Sequence, residues 1–184
     1  MINDSPYLVG ASIFYSFRGS STNYYFPLDF TVGGAVASFG RRLEWPDDFF
    51  RVMWSAKFMQ KEYEGSQSDI DNYIGGLQKT RGISLSQVLS RDSRNRAEFP
   101  TNGSTFILEN TCSGGFLGGN ENFQKHMLTL DWFTPTFSKF VLYNSVKLGV
   151  IKTIDVGDDI QSFVPFDERF IMGGNGIPYG NALR

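Results

Sequence analysis

Apolar and polar residues alternate with a period of two over long stretches of this 184-residue chain. Because successive side chains of a β-strand point to opposite faces, each stretch predicts a strand with one apolar and one largely polar face. About seven strands fit the pattern, near residues 7–18, 26–39, 49–61, 83–90, 104–112, 123–133 and 139–150. No convincing amphipathic helix accompanies them. The sequence therefore predicts an all-β fold.

The alternation alone leaves two environments open for the apolar face. A soluble β-sandwich or lipocalin-like binding domain hides that face inside, whereas a transmembrane barrel turns it toward lipid. The strands are about 10 to 13 residues long, which exceeds the usual soluble length and suits a tilted membrane crossing. Aromatic residues also gather near the strand ends, as they do at membrane interfaces. Both features favour the membrane, and the soluble domain stays as the alternative.

The connections between the predicted strands differ in length from one end of the sheet to the other. Two compact turns, 41–48 and 134–138, fall on one end, and the long segments 62–80 and 152 onward fall on the other. Outer-membrane barrels have this asymmetry, with short periplasmic turns and long extracellular loops. The connection 92–103 is rather long for the short-turn end. The pattern favours an antiparallel transmembrane β-barrel segment.

Composition and residue spacing argue against several other classes of function. The formal net charge of -2 gives no reason to expect a nucleic-acid partner. The sole histidine, His126, lies on an apolar strand face without partners at metal-ligand spacing. The sole cysteine, Cys112, cannot form an internal disulfide. The sequence thus predicts no catalytic residue, no metal site and no cofactor.

Two local motifs could indicate a catalytic, metal-binding or nucleotide-binding site, but neither is predicted to be one. The adjacent carboxylates 158–159 and 167–168 could act in acid/base work or bind Ca²⁺, but neighbours on an extended backbone point apart. They are predicted to be solvated loop charges. The glycine-rich segment 174–180 faintly resembles a dinucleotide loop. No helix follows it and Pro178 interrupts it, which excludes that interpretation.

Three segments, in this order along the chain, carry a family resemblance. Residues 81–106 look like a signature hairpin in which a strand ends in Asp/Arg-rich turn residues before Phe-Pro-Thr-x-Gly-Ser opens the next strand. Residues 131–135, Asp-Trp-Phe-Thr-Pro, resemble a later turn, and residues 166–184 resemble a long inward-folding extracellular loop. Together they resemble the BamA-type outer-membrane insertase family, the bacterial surface-antigen barrels. The run Gly-Asn-Gly-Ile-Pro-Tyr-Gly-Asn is most similar to Bacteroidetes-type members.

The resemblance implies roles for two sets of residues and a division of the chain. The turn signature consists of Asp92, Phe99, Pro100, Gly103 and Ser104, and the loop signature of Glu168, Arg169, Phe170, Gly173, Gly174 and Arg184. In the family, the arginine matching Arg184 anchors the loop tip inside the barrel. Residues 1–151 would then be barrel strands, and residues 152–184 the first half of a lumen-directed extracellular loop. The set predicted to face lipid is Val52, Trp54, Leu128, Leu130, Leu142 and Leu148.

The resemblance also implies a function and a set of partners. The chain would be a mid-barrel part of a bacterial outer-membrane protein that assembles and inserts other β-barrel proteins without enzymatic chemistry. Its partners would be the lipid bilayer, the remaining strands and POTRA domains of the parent chain, nascent outer-membrane proteins and accessory lipoproteins. A generic porin-type channel is a further alternative, because Arg51, Lys57, Lys125 and Lys147 on polar faces could line a pore.

Overall fold

Seven antiparallel strands form one sheet in the computed structural model of the chain, which describes residues 7–19, 28–155, 164–165 and 168–170. The strands are β1 (Tyr7–Arg18), β2 (Asp29–Arg42), β3 (Phe50–Glu64), β4 (Lys79–Asp92), β5 (Gly103–Ser113), β6 (Phe123–Pro135) and β7 (Val141–Thr153). Each strand pairs with its neighbours in sequence, so the spatial order is β1 to β7. Within the described residues β1 and β7 do not pair, and the sheet is open. The all-β prediction is confirmed, and in the described part of the chain no second sheet packs on the first as a sandwich requires.

The register places the alternating residues in continuous rows across all strands. One row contains Tyr7, Arg41, Val52, Leu89, Leu108, Leu128 and Leu148. The adjacent row, on the opposite face, contains Leu8, Gly40, Met53, Val88, Glu109, Met127 and Gly149. The face of the first row is called the bare face below. The face of the second row is called the loop-bearing face, since α1, the Glu121 side chain and residues 168–170 pack on it.

Several strands extend beyond the residues in which the alternation is visible. β3 continues to Glu64, opposite Asp29, and β4 begins at Lys79 rather than near residue 83. β7 ends at Thr153, past the expected division between residues 151 and 152. Backbone pairing does not require an apolar side chain at every second position, so the strands continue beyond the residues that show the alternation.

A short helix, α1 (Gln67–Ile74), lies in the connection between β3 and β4, where the sequence indicated only a polar loop. Ser66 caps its start by accepting a hydrogen bond from the Asp69 amide, and Gly75 ends it in the left-handed conformation. Ile70 and Ile74 are buried against Leu28 and Tyr63. The prediction of no helix was wrong because two turns present too few apolar positions to establish a helical period. None of the described helices has the length and apolar character to cross a membrane.

Candidate functional site

The two faces of the sheet differ in how far their side chains are exposed. Large apolar side chains lie exposed along the bare face: Val9, Ile13, Tyr15, Phe17, Phe39, Trp54, Phe58, Leu85, Trp132, Leu142, Val146, Leu148 and Val150. On the loop-bearing face α1, the β5–β6 connection and residues 164–170, as far as they are described, cover the strands. An apolar surface of this extent on one face of a sheet marks contact with another apolar medium or partner.

All six residues predicted to face lipid lie on the bare face. Leu148 is 59% exposed and Leu142 and Trp54 are exposed as well, whereas Leu128 and Leu130 are half-buried. Val52 is only 6% exposed, between its cross-strand neighbours Arg41 and Leu89. The shared face agrees with the alternation. Contact with lipid remains a prediction for these residues.

Glu168 fastens the segment after β7 to the loop-bearing face. The Lys125 ammonium donates to the Glu168 carbonyl oxygen at 2.9 Å and to its Oε2 at 3.0 Å. Lys57 Nζ lies 3.9 Å from Oε1 of the same carboxylate. The three side chains are 22% to 33% exposed. Glu168 is therefore not the solvated loop charge that its place beside Asp167 suggested, because two lysines on separate strands converge on it.

Phe170 provides the second contact of this segment with the sheet. Its ring centroid lies 5.3 Å from Lys125 Nζ, a cation–π distance. The ring also lies directly over Gly149, where any Cβ would collide with it. Glycine in a strand interior often marks such a close approach. The contacts of Glu168 and Phe170 with Lys57, Lys125 and Gly149 are called the loop anchor below.

The other loop-signature residues contribute less to this contact. Arg169 Nε donates to the Val164 carbonyl at 3.1 Å, and the Glu168 amide donates to the Pro165 carbonyl at 3.0 Å, so both bonds are local. Gly173, Gly174 and Arg184 lie outside the described residues. The anchoring role of Arg184 therefore stays a prediction.

The turn signature forms a tightly bonded connection between β4 and β5. Arg94 donates to both carboxylate oxygens of Asp92, at 2.9 and 2.7 Å, and this hydrogen bonding raises the pKa of the Arg94 guanidinium above its usual value. The Ser93 amide donates to the Ser104 carbonyl at 2.9 Å, and the Ser104 amide donates to Ser93 Oγ at 3.2 Å. Asp92 and Ser104 thus lie at the closed base of the turn.

Two residues of this turn have positive φ. Gly103 has φ 104°, and a Cβ there would collide with the Ser93 carbonyl and Arg94, so the position requires glycine. Phe99, before Pro100, has φ 52° and is 88% exposed. A bulky side chain rarely occupies this left-handed region, and here its ring is not covered by other described residues.

Two groups of polar side-chain contacts were not predicted from the sequence. On the bare face His126 Nδ1 lies 2.9 Å from Asn110 Oδ1, and Asn110 Nδ2 donates to Gln87 Oε1 at 3.4 Å. On the loop-bearing face Lys61 and Glu121 form a buried ion pair. The first depends on which residues the register places opposite each other and the second on where the connection before β6 lies, and no local signal in the sequence shows either. Among the described residues no cluster of His, Cys, Asp and Glu could hold a metal ion.

Comparison with known proteins decides the family. The Omp85 superfamily domain matches residues 2–184. The chain belongs to the Omp85 superfamily. It is also similar to outer membrane protein assembly factor BamA of Nitratidesulfovibrio vulgaris, with 31% identity over 111 residues.

That match covers 58% of this chain and 13% of the relative, so the chain matches only a small part of the relative's length. Together these findings confirm the resemblance to BamA-type barrels and place this Omp85 protein in the bacterial outer membrane.

Proposed function

We propose that this chain forms part of the wall of an outer-membrane barrel that assembles other β-barrel proteins and inserts them into that membrane. The opposite character of the two faces carries the proposal. The bare face meets lipid through its exposed apolar side chains, and the loop-bearing face lines the lumen. The chain beyond Thr153 is the first half of a lumen-directed loop, and the loop anchor holds it against the inner wall.

Further strands of the parent barrel cover the edges of β1 and β7. Within the described residues each of these strands pairs on one side only, which leaves backbone N–H and C=O groups without partners on the other. In lipid each such group costs several kcal/mol, so a wall segment of this kind needs neighbours. The same parent chain supplies POTRA domains in this proposal, and accessory lipoproteins are further partners.

The proposed activity needs neither a catalytic residue nor a cofactor. A nascent outer-membrane protein inserts because burial of its apolar surface in lipid and closure of its own hydrogen bonds lower its free energy. The complete protein lowers the free-energy barrier to insertion, and this segment provides its rigid scaffold. The loop anchor keeps the loop on the wall, and the aromatic side chains at the strand ends fix the depth of the barrel in the membrane.

A controlled depletion of the complete protein in its own cells tests the proposal. The expected result is a fall in the heat-resistant, folded fraction of other outer-membrane barrels, with unfolded precursors accumulating in the periplasm, and recovery when a plasmid copy is expressed. A porin would give a different result: solute influx would fall while the folded fraction of other barrels stayed unchanged. That second outcome would overturn the assembly function.

A further inference from the structure

A buried ion pair lies outside the loop anchor. Lys61 Nζ of β3 is 3.3 Å from Glu121 Oε1, and the two side chains are 3% and 2% exposed. Thr80 of β4 donates its hydroxyl to the same carboxylate oxygen at 3.0 Å. Burying two charges costs several kcal/mol per ion before their attraction offsets it, and removing one partner leaves the other uncompensated. Such a pair therefore specifies one arrangement of the segments that carry it.

Glu121 belongs to the connection 114–122 between β5 and β6, and its side chain reaches Lys61 and Thr80 on the loop-bearing face. Its backbone joins β4 at several points: the Asn120 amide donates to the Arg81 carbonyl at 2.9 Å, and the Gly114 amide donates to the Ile83 carbonyl at 2.9 Å. Gly119 forms an isolated bridge with Gly82. These hydrogen bonds therefore hold the connection 114–122 along the start of β4 in one defined position.

The other side of this connection contacts the first residue after β7. The Ile154 amide donates to the Asn122 carbonyl at 3.0 Å, and a Cβ at Gly115 would lie 3.6 Å from the Ile154 side chain, at van der Waals distance. Asn122 is itself held in place, because its Oδ1 accepts from the Gly115 amide at 2.7 Å. The point from which the chain leaves β7 is thus set by the residue that follows Glu121.

We propose that Lys61 and Glu121 are positioning residues for the lumen-directed loop. Their ion pair fixes the connection 114–122 on β4, and Asn122 then fixes Ile154, the residue from which the chain continues to Glu168. Because one end of the segment is already fixed at Ile154, less conformational freedom is lost when Glu168 binds and closes the loop. This inference rests on the proposed role of the loop, and it assigns that role a second support outside the loop anchor.

Trypsin cleavage after Arg169, measured by mass spectrometry on the complete protein in detergent micelles, tests the inference. Lys139, in the exposed β6–β7 turn at the opposite end of the sheet, provides an internal reference rate. In the wild type, cleavage after Arg169 is expected to be much slower than after Lys139. Glu121→Gln should accelerate the Arg169 cleavage about tenfold, because the loop then opens more often.

Two further variants separate positioning from general destabilisation. Glu62→Gln removes an exposed ion pair with Lys79 on the same two strands and should leave the Arg169 rate unchanged. The exchange Lys61→Glu with Glu121→Lys should restore slow cleavage. If Glu121→Gln does not fold, judged by heat-modifiable migration, Thr80→Val gives a milder test, with an increase of about threefold expected.

The outcomes distinguish this inference from the proposed function. If Glu121→Gln or, where that variant does not fold, Thr80→Val folds and leaves the Arg169 rate at the wild-type value, the positioning role is overturned while loop docking stands. If the wild type itself is cleaved after Arg169 as fast as after Lys139, the loop is not docked. That result overturns the proposed lumen-directed loop together with the inference built on it.

Discussion

Leu148 and Gly149 are consecutive residues near the middle of β7, and they meet entirely different surroundings. Leu148 points from the bare face and is 59% exposed, whereas Gly149 lies beneath the Phe170 ring on the loop-bearing face. The alternation of a strand decides which residue takes which face. The segments that pack on a face then determine which contacts the side chains of that face make. In this chain the loop anchor and the Lys61–Glu121 pair lie on one face, and the apolar face is the one proposed to meet lipid.

The same contrast holds for charged groups. On the loop-bearing face Lys125 and Lys61 each have a carboxylate partner contributed by a connection, Glu168 and Glu121 respectively. A pore needs cations that face an open channel, so these pairs weaken the porin interpretation. Polar groups on the bare face bond within their own row, as His126 does with Asn110. Lipid-facing polar groups need such partners.

The largest expected effect is on the bare face, for Leu148→Lys. A lysine near the bilayer midplane of an outer-membrane barrel costs about 2 to 4 kcal/mol. The free energy of unfolding of the complete protein in lipid vesicles, from urea titration, should fall by that amount. Ser55→Lys, on the loop-bearing face of β3, is the matched control and should change it by less than about 0.5 kcal/mol. Equal losses for the two variants would remove the distinction between the faces.

The next effect is expected one residue further, for Gly149→Ala. The new methyl group collides with the Phe170 ring, so the loop must shift, and overpacking of this kind costs about 1 to 3 kcal/mol of loop docking. Hydrogen exchange of the residues around Phe170 measures the loss. Gly40→Ala lies in the same row of the sheet, where an added Cβ meets its nearest neighbour at 3.5 Å, and it should be silent. Unchanged exchange in Gly149→Ala would show that Phe170 does not rest on β7 in solution.

Glu168→Gln should weaken the loop anchor by about 1 kcal/mol, since charge-assisted hydrogen bonds to partly exposed groups contribute on that order. The effect should shrink at high salt, because the Lys57 contact, at 3.9 Å, is mainly electrostatic. The measurement is the salt dependence of exchange around residues 168–170. No loss at any salt concentration would assign the anchor to Phe170 alone, and a loss that does not depend on salt would assign the Glu168 contribution to hydrogen bonding rather than to charge.

The smallest effect is expected at α1, which covers the end of the loop-bearing face. Ser66→Ala removes the helix cap and should lower the local stability of α1 by about 0.5 to 1 kcal/mol. Amide exchange of residues 69–74 should report the change while the strands keep their protection. If the strands lose protection equally, α1 is part of the cooperative unit of the sheet rather than a cover on it.

The alternation was sufficient to predict the fold class and the face on which each strand residue lies. The apolar positions of β3, β6 and β7 recur at every second residue, and the six residues predicted to face lipid share one face. The motif at 99–104 likewise matched the turn that opens β5. These features were predictable because each depends on residues close together in sequence.

The contacts that hold the loops were not predictable in this way. Lys61 pairs with Glu121 only because the register brings β3 beside β4 and the connection 114–122 pairs with the start of β4. Glu168 appeared as one of two adjacent loop carboxylates, and nothing near it in sequence indicated Lys125. The sequence of helix α1 contains a capping signal, Ser66 with Asp69, but its two turns are too short to show a helical period of apolar residues. Contacts between distant segments require the register, which one sequence does not give.

A nitroxide scan of residues 145–148 in the complete protein, reconstituted in lipid vesicles, tests the central claim that the two faces meet different surroundings. Each position is changed to cysteine in a Cys112→Ser background and labelled, and collisions with oxygen and with a water-soluble nickel chelate are compared. We expect alternation: labels at Val146 and Leu148 collide mainly with oxygen, and labels at Ser145 and Lys147 do not. An absent or inverted alternation would show that the bare face does not meet lipid.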